Sequence, residues 1–519
     1  MGDAPGALED DLLRRRFHLP TRRKGCGVRS REQLAPAAFS ASLVRASSRF
    51  LGEDGFFPRL AALFGEDAFE EGGRRFELFL ANGRGGVVAD AFRAAWQGMQ
   101  AEVVDCEVDG PLAAPAALAG EGCGEQLQKL LTEQREAAAL QAVEDAMRAL
   151  ELRDARRVAF FEPDRFTNFQ SSWTRPEWHV HSGHFQDRLA VFMGWPSPAI
   201  VPHAGTMMRS GSAQVPLDAH GFALELVRAG GQHWRVQHDA IEQTVFEDTR
   251  RAGVEGERGP RSIFNSAIPL EHLNADLVTD ERTGRPRRAQ RLAIIPDARY
   301  YRRTRRRRAR GAGAFDGAVR AALVDHKTLH YSPNTYSDSA LRATSRAGRR
   351  SGRRAVTVRA DAVSTDYVRH AQQLDRSIVE GLTADAQREG ARGPVETVLR
   401  SFDPVQGFVT GSFNEASDEL HDHLQIVATA LATGWRRLGA RSYAACRSAV
   451  VVDLYRRWGA AIANANANLR LTRLENLYTR GPTVRAWGAR ADADADVGGF
   501  ADLGDLAPDT GGAHGPGFL

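Results

Sequence analysis

The chain has 519 residues, 42% of them hydrophobic and 26% charged, which is the composition of a folded globular protein of about three domains. It contains no run of about 18 apolar residues, so the sequence predicts no membrane-spanning helix, and residues 1–16 lack the apolar segment of a secretory signal. The four cysteines (Cys26, Cys106, Cys123 and Cys446) lie far apart and form no CxxC motif. This pattern argues against a disulfide framework and predicts a reducing, intracellular location.

Positive charge is concentrated in two arginine-rich segments. Residues 282–310 contain 13 arginines and the single acid Asp297, and residues 341–359 contain seven arginines and no acid. Because the net charge of the whole chain is only +4, the other residues are acidic overall. This separation of charge predicts a polyanion partner, DNA or RNA. A nuclear-localisation signal is a compatible interpretation of the same runs, and arginine-rich codon usage is the simplest one.

Helical spacing of apolar residues characterises the first part of the chain. Residues 1–156 are predicted to form a helical region, with helices at 34–51, 89–100 and 126–152. Residues 157–230 are rich in tryptophan, histidine, proline and glycine, which indicates loops and short elements.

Residues 231–430 alternate between helical and strand patterns. A helix predicted at 233–253 ends at Gly253, a plausible C-cap. The elements predicted after it are strands at 262–268, 291–295 and 319–324, a helix at 362–382, a strand at 407–410 and a helix at 417–438. The order of helix, three strands, helix and strand predicts an α/β domain. Residues 431–485 are predicted to be helical, and the glycine-, alanine- and aspartate-rich tail at 486–519 to be disordered.

Two acids and a lysine within the predicted strands carry the clearest chemical pattern. Asp297 follows the apolar run Leu292–Pro296, and Asp325 and Lys327 end the run that starts at Val319. Because strand side chains alternate, Asp325 and Lys327 project to one side, with Val324 and His326 on the other. If the two strands pair as a hairpin, Asp297 approaches Asp325, and two carboxylates form a site suited to Mg²⁺ or Mn²⁺. Carboxylates more than about 7 Å apart could not share one ion.

The lysine completes a constellation for phosphodiester hydrolysis. Lys327, one of three lysines in the chain, could orient or polarise the attacking water and stabilise charge on the phosphate. The metal would lower the pKa of that water. The alternative interpretation is a surface hairpin with solvated charges.

An acid from the preceding helix is a further candidate. Glu242 is assigned as a catalytic acid, with Asp239, one turn before it, as the other possibility. Both could instead be exposed charges near a helix N-terminus, where acidic residues are favourable.

The arginine segments flank these acids and are interpreted as a clamp for the nucleic-acid backbone, since guanidinium groups bind phosphates in a bidentate manner. The arginines assigned to nucleic-acid binding are Arg302, Arg303, Arg305, Arg306, Arg307, Arg308, Arg349, Arg350, Arg353 and Arg354.

The segments Pro296-Asp297 and Asp325-His326-Lys327 resemble the PD-(D/E)xK nuclease signature. The resemblance implies a restriction-endonuclease-like core in residues 231–430, with Asp297 and Asp325 as metal ligands and Lys327 as the catalytic lysine.

A wider similarity joins these segments to Asp218-Ala219-His220-Gly221, to Gly230-Gly231 and to Arg235 with His238-Asp239. In this order they resemble the restriction-like endonuclease region of site-specific non-LTR retrotransposon polyproteins. Residues 19–39 are similar to the segment that follows the reverse-transcriptase core in that family. The resemblance implies a DNA endonuclease, with retroelement RNA as a second possible partner.

The chain departs from this family at two points. It has no YxDD polymerase motif, so it cannot itself reverse-transcribe. The zinc knuckle lacks its thiols, because no cysteine lies between Cys123 and Cys446, and His203 with His220 would supply only two of the four ligands of a structural zinc site. Zinc is therefore not expected. A catalytically inactive, nucleic-acid-binding remnant of a retrotransposon protein is the alternative function.

Overall fold

The computed structural model describes residues 10–26, 28, 35, 38, 127–167, 180–210, 213–227, 233–260, 262–269, 277–279, 286–288, 295–303, 319–344, 354–437 and 442–479. The chain divides into two compact units, one of residues 1–160 with 193–195 and one of residues 161–192 with 196–519. The helix predicted at 89–100 and the tail at 486–519 lie outside the described residues, as does nearly all of 34–51. In the part that is described, no helix is both long enough and apolar enough to cross a membrane.

The helices and strands follow one another in mixed order. They are α1 (Asp11–His18), α2 (Leu127–Ala149), α3 (Ala155–Phe161), α4 (Ser182–Met193), β1 (Met207–Ser210), β2 (Ala213–Pro216), α5 (Phe222–Leu226), α6 (His233–Arg251), β3 (Gly256–Arg258), β4 (Leu277–Thr279), β5 (Pro286–Arg288), β6 (Ala298–Arg303), β7 (Val319–Leu329), α7 (Asp338–Thr344), α8 (Ala355–Ile378), α9 (Ala384–Arg388), α10 (Pro394–Arg400), β8 (Gln406–Gly411), α11 (Asp418–Arg437) and α12 (Tyr443–Thr479).

The first unit contains the predicted long helix α2 and the short helix α1. Asp10 caps α1, since its carboxylate accepts hydrogen bonds from the backbone N–H groups of Leu12 and Leu13. The buried guanidinium of Arg16 donates to the carbonyl oxygens of Lys24 and Ala159, which ties α1 to α3.

The second unit is built on a four-stranded sheet with the strand order β3-β6-β7-β8. The neighbours β3 and β6, and also β6 and β7, are antiparallel, whereas β7 and β8 are parallel. Two registers position the site: Ala298 lies opposite Val324, and Asp325 lies opposite Gly407. A mixed sheet of this kind, with α8 connecting the parallel strands, makes the domain α/β, as the sequence predicts.

Helices cover both faces of this sheet. Leu323 packs with Val363 and Tyr367 of α8 on one face. Val324 packs on the other face in a core to which α6, α11 and α12 contribute, with Trp458 of α12 fully buried there. The alternation of neighbouring β7 residues between these two cores confirms the predicted period of two.

Helix α6 ends as its sequence indicates. Gly253 adopts a positive φ of 73°, and its N–H donates to Arg250 O while that of Val254 donates to Thr249 O. These two bonds form a Schellman motif, in which glycine accepts the left-handed conformation without a Cβ penalty.

Several predicted boundaries differ from the structure. Residues 262–268 form turns rather than a strand, and α8 begins at Ala355, seven positions before the predicted start. Helix α4 lies in the region predicted to be loop-rich, because its polar first turn obscures its helical periodicity. Residues 291–294 of the strand predicted before Asp297 are outside the described residues. The strand next to this acid, β6, begins directly after it at Ala298.

Candidate active site

The structure brings Asp297 and Asp325 together, as the hairpin hypothesis requires. Asp297 immediately precedes β6, and because Ala298 pairs with Val324, the next position along β7 is Asp325. In this register the two acids lie side by side, and the negative charge of Asp297 raises the pKa of the Asp325 carboxyl, as expected of two acids that could share one ion. Asp325 is 2% exposed, so the pair lies at the inner end of the site.

Each oxygen of Asp325 has a cationic or polar neighbour. Lys327 Nζ lies 2.8 Å from Asp325 Oδ2, and the Lys327 side chain is 16% exposed whereas that of Asp325 is 2% exposed. The hydroxyl of Tyr367 on α8 donates to Asp325 Oδ1 over 3.1 Å. Asp325 and Lys327 therefore share the face of β7 that is covered by α8, as strand alternation predicts.

Asp297 is held from the opposite side by β7 and α6. Its Oδ2 accepts the backbone N–H of His326 over 2.6 Å. This contact lies just before β6 begins, where β7 has no further partner residue in that strand. His238 Nε2 lies 3.1 Å from the same carboxylate oxygen and 3.1 Å from His326 O. Asp297 and His238 together thus satisfy both backbone groups of His326.

The contacts of His238 fix its charge. Burial lowers the pKa of His238, but hydrogen bonds to Asp239 and Asp297 outweigh this effect and raise it to about 10. A doubly protonated ring donates from both nitrogens, in agreement with Nδ1 lying 3.2 Å from Asp239 Oδ1. For Asp297, burial raises the pKa, whereas the hydrogen bond and charge of His238 lower it to about 2. His238 and Asp297 therefore form an ion pair.

Positive charge offsets the burial of Asp325 less fully than His238 offsets the burial of Asp297. Burial, together with the negative charge of Asp297, raises the pKa of Asp325 to about 7, against the opposing effect of Lys327. Burial also lowers the pKa of His326 to about 3, so this imidazole is neutral and adds no positive charge. Two adjacent buried carboxylates, one of them short of positive charge, form a donor set that suits a divalent cation.

Helix α6 adds a third buried carboxylate, that of Glu242, beside the pair of Asp297 and Asp325. Glu242 is buried rather than exposed, and its carboxylate forms a bidentate ion pair with Arg258 at 2.7 and 3.0 Å. Burial raises the pKa of Glu242, and the hydrogen bond with Arg258 opposes that change. One possible ligand atom from each of His238, Asp239 and Glu242 lies within 4.8 Å of the others. His238, which also bonds to Asp297, links this cluster to the acid pair.

Of the ten arginines predicted to bind nucleic acid, the structure describes three. Arg302 and Arg303 lie in β6, while the positions 305–308, 349, 350 and 353 are outside the described residues. The prediction for Arg354 is wrong. Its side chain is buried, with Nε 3.7 Å from Glu162 Oε2 and Nη1 3.5 Å from Asp164 Oδ2, so it neutralises internal acids at the start of α8.

Sequence reasoning missed Tyr367 and Arg258 entirely. Tyr367 lies 42 residues from Asp325 and reaches it only through the packing of α8 on the sheet, and no local pattern marks it. Arg258 follows Glu242 by 16 residues across the α6–β3 turn, a separation that no helical or strand spacing would reveal. Comparison of the chain with protein-family models, curated proteins and solved structures found no match.

Proposed function

We propose that this chain is a metal-dependent endonuclease that hydrolyses phosphodiester bonds of DNA. One observation carries the proposal: two buried carboxylates, Asp297 and Asp325, meet at the end of the β6–β7 pairing with Lys327 Nζ 2.8 Å from Asp325. The sequence of α6, β3, β6, β7, α8 and β8 around them supports a restriction-endonuclease-like core of the PD-(D/E)xK type. On this proposal the chain derives from a site-specific retroelement protein and acts on DNA in the nucleus.

The donor set fits a hard divalent cation. Asp297 and Asp325 would hold Mg²⁺ or Mn²⁺, with Glu242, whose pKa the charge of Asp297 raises, as a further carboxylate on α6. The raised pKa of Asp325, caused by burial and by Asp297, supports this assignment because a cation would relieve the repulsion. The ion would supply Lewis-acid charge to the phosphate and to the attacking water.

The protein groups around the pair have separate roles. Lys327 would place a positive charge against the phosphate oxygens on which negative charge develops, and its partial exposure lets a substrate reach it. His238 holds Asp297, and Tyr367 holds Asp325, so each acid is fixed by a helix on its own face of the sheet. Arginine side chains of the 282–310 segment would bind the flanking phosphates.

Plasmid nicking tests the proposal. The purified full chain is incubated with supercoiled DNA and Mg²⁺, Mn²⁺ or a chelator, alongside Asp297→Asn, Asp325→Asn and the control Asp385→Asn. Asp385 is an exposed acid on α9 that forms an ion pair with the neighbouring, equally exposed Arg388, so its substitution should leave nicking unchanged. We expect metal-dependent nicking that both site variants lose while they still bind DNA. Binding without nicking in every metal would instead support an inactive nucleic-acid-binding remnant.

A further inference from the structure

The first turn of α6 exposes an aromatic ring beside the candidate active site. Trp234 is 40% exposed, and it is the one aromatic residue among the exposed large hydrophobic side chains in the described part of the chain. It lies four residues before His238, which bonds to Asp297. Residues four apart on a helix lie about 40° apart around its axis, with Cβ atoms roughly 5–6 Å apart. Trp234 therefore lies on the helix face that carries His238, one turn closer to the helix N-terminus.

Positive charge lies on the same stretch of surface. The Arg235 side chain is one-third exposed, and its Nε lies 3.7 Å from Asp239 Oδ2. Guanidinium groups next to an exposed indole are the combination that binds single-stranded nucleic acid, where phosphates pair with arginine and bases stack on aromatic rings.

We propose that Trp234 stacks on an unpaired nucleobase adjacent to the scissile phosphate, so that the preferred substrate is DNA with a frayed, forked or single-stranded segment at the cleavage position. This inference rests on the proposed endonuclease function and specifies its substrate class. In a continuous duplex, neighbouring bases cover both faces of each base, and an indole could stack only after a base leaves the helix. A forked substrate presents such a base without that cost.

The experiment measures binding and cleavage separately. A forked DNA and its fully paired counterpart, each with the fluorescent base 2-aminopurine at the branch, are titrated with the full chain in the Asp325→Asn background, which blocks hydrolysis. Trp234→Ala is compared with Trp234→Phe and with Val236→Ala. Val236 is 52% exposed on the same turn, but about 160° away around the helix, so it is a matched control for loss of an exposed apolar side chain.

We expect tighter binding of the forked DNA and quenching of the 2-aminopurine. Trp234→Ala should weaken forked-DNA binding roughly 5- to 150-fold and abolish the quenching, the range that base–aromatic stacking produces in alanine substitutions. Trp234→Phe should retain part of both effects, and Val236→Ala should retain them fully. The affinity of Trp234→Ala for the paired DNA should match that of the parent protein.

The outcomes distinguish this inference from the proposed function. If the wild-type chain nicks plasmid but Trp234→Ala leaves forked-DNA affinity and quenching unchanged, the stacking inference is wrong and the endonuclease proposal stands. If no metal supports nicking, yet Trp234→Ala selectively loses the forked DNA, the stacking contact is correct and hydrolysis is not the function.

Discussion

Lys327 Nζ lies 2.8 Å from Asp325 Oδ2, on a strand whose alternation places both side chains on one face. The pair lies next to Asp297, which His238 holds in its ionised form. The ammonium group is therefore bound to a buried carboxylate, on a side chain that is itself only partly exposed. On the proposed function, that arrangement would give Lys327 a role in chemistry that can be separated from binding.

Substitution of Lys327 with methionine should lower the catalytic rate while leaving DNA affinity almost unchanged. The methionine keeps the apolar length of the side chain and removes only the charge that would stabilise the phosphate in the transition state. Loss of one such group typically costs roughly 10²- to 10³-fold in kcat. Single-turnover nicking and filter binding provide the two readouts, with Arg388→Met on exposed α9 as the control. Equal losses in rate and affinity would assign Lys327 to substrate binding instead.

Tyr367→Phe should weaken the metal affinity of the site without removing a ligand. The hydroxyl donates to Asp325 Oδ1 over 3.1 Å, and its loss frees the carboxylate to rotate. Groups that orient a metal ligand typically change metal affinity by about 10- to 100-fold. We expect the Mg²⁺ concentration for half-maximal nicking to rise within that range, while Tyr443→Phe at the start of α12 behaves as the wild type. An unchanged Mg²⁺ concentration for half-maximal nicking would show that Tyr367 contributes only to the packing of α8 on the sheet.

Glu415 should make the protein less stable as the pH rises from about 4.5 to 7. Burial, with the negative charge of Glu162, raises the pKa of Glu415 to about 7, while the charge of Arg354 opposes the change. Since the folded state holds this proton more tightly than the unfolded state, its stabilising contribution is complete below the unfolded pKa and is lost as pH rises through the folded pKa.

The urea midpoint of unfolding, measured between pH 5 and 8, checks this expectation. The wild type should lose stability across that range, by about 3 kcal/mol at most, relative to Glu415→Gln. The exposed control Glu389→Gln should retain the wild-type slope. Parallel curves for the wild type and Glu415→Gln would contradict the assignment.

Arg470→Met should destabilise the second unit strongly. Arg470 on α12 is fully buried and lies 3.0 Å from Asp187 Oδ1 and 3.4 Å from Glu225 Oε1. Its loss removes a buried cation shared by two buried carboxylates, and the loss of one partner of a buried ion pair typically costs about 3–5 kcal/mol. Chemical denaturation should report that loss, whereas Arg388→Met at the surface should stay within about 0.5 kcal/mol of the wild type. A small loss of stability in Arg470→Met would mean that Arg188 or water neutralises or solvates Asp187 and Glu225 in its place.

The sequence predicts the site acids well because their arrangement depends on local rules. Strand alternation places Asp325 with Lys327, and the pairing of two neighbouring strands brings Asp297 opposite Asp325. Helices α6 and α11 are also close to their predicted bounds, because each has apolar residues at helical spacing. Helix α2 is close to its bounds because its sequence is rich in alanine, leucine and charged residues that favour helices.

The supporting residues could not be predicted in this way, since each depends on packing between distant segments. Tyr367 reaches Asp325 from α8, and Arg354 contacts Glu162, 192 residues earlier in the chain. The arginine run around position 350 looks uniformly solvent-exposed in sequence, so nothing local distinguishes the one member that enters the core. The assignment of residues 262–268 to a strand failed for a related reason: a short apolar run also suits a turn that packs Phe264 and Ile268 against α8.

The most direct test of the account is the rate at which the wild-type chain and Asp325→Asn nick supercoiled plasmid in saturating Mg²⁺. Asparagine keeps the size of the side chain and removes the charge on which cation binding depends. The account predicts nicking by the wild type that is lost in the variant and abolished by a chelator, with DNA binding intact in both. Equal nicking by the two proteins, or nicking that survives the chelator, would contradict a metal site at Asp297 and Asp325.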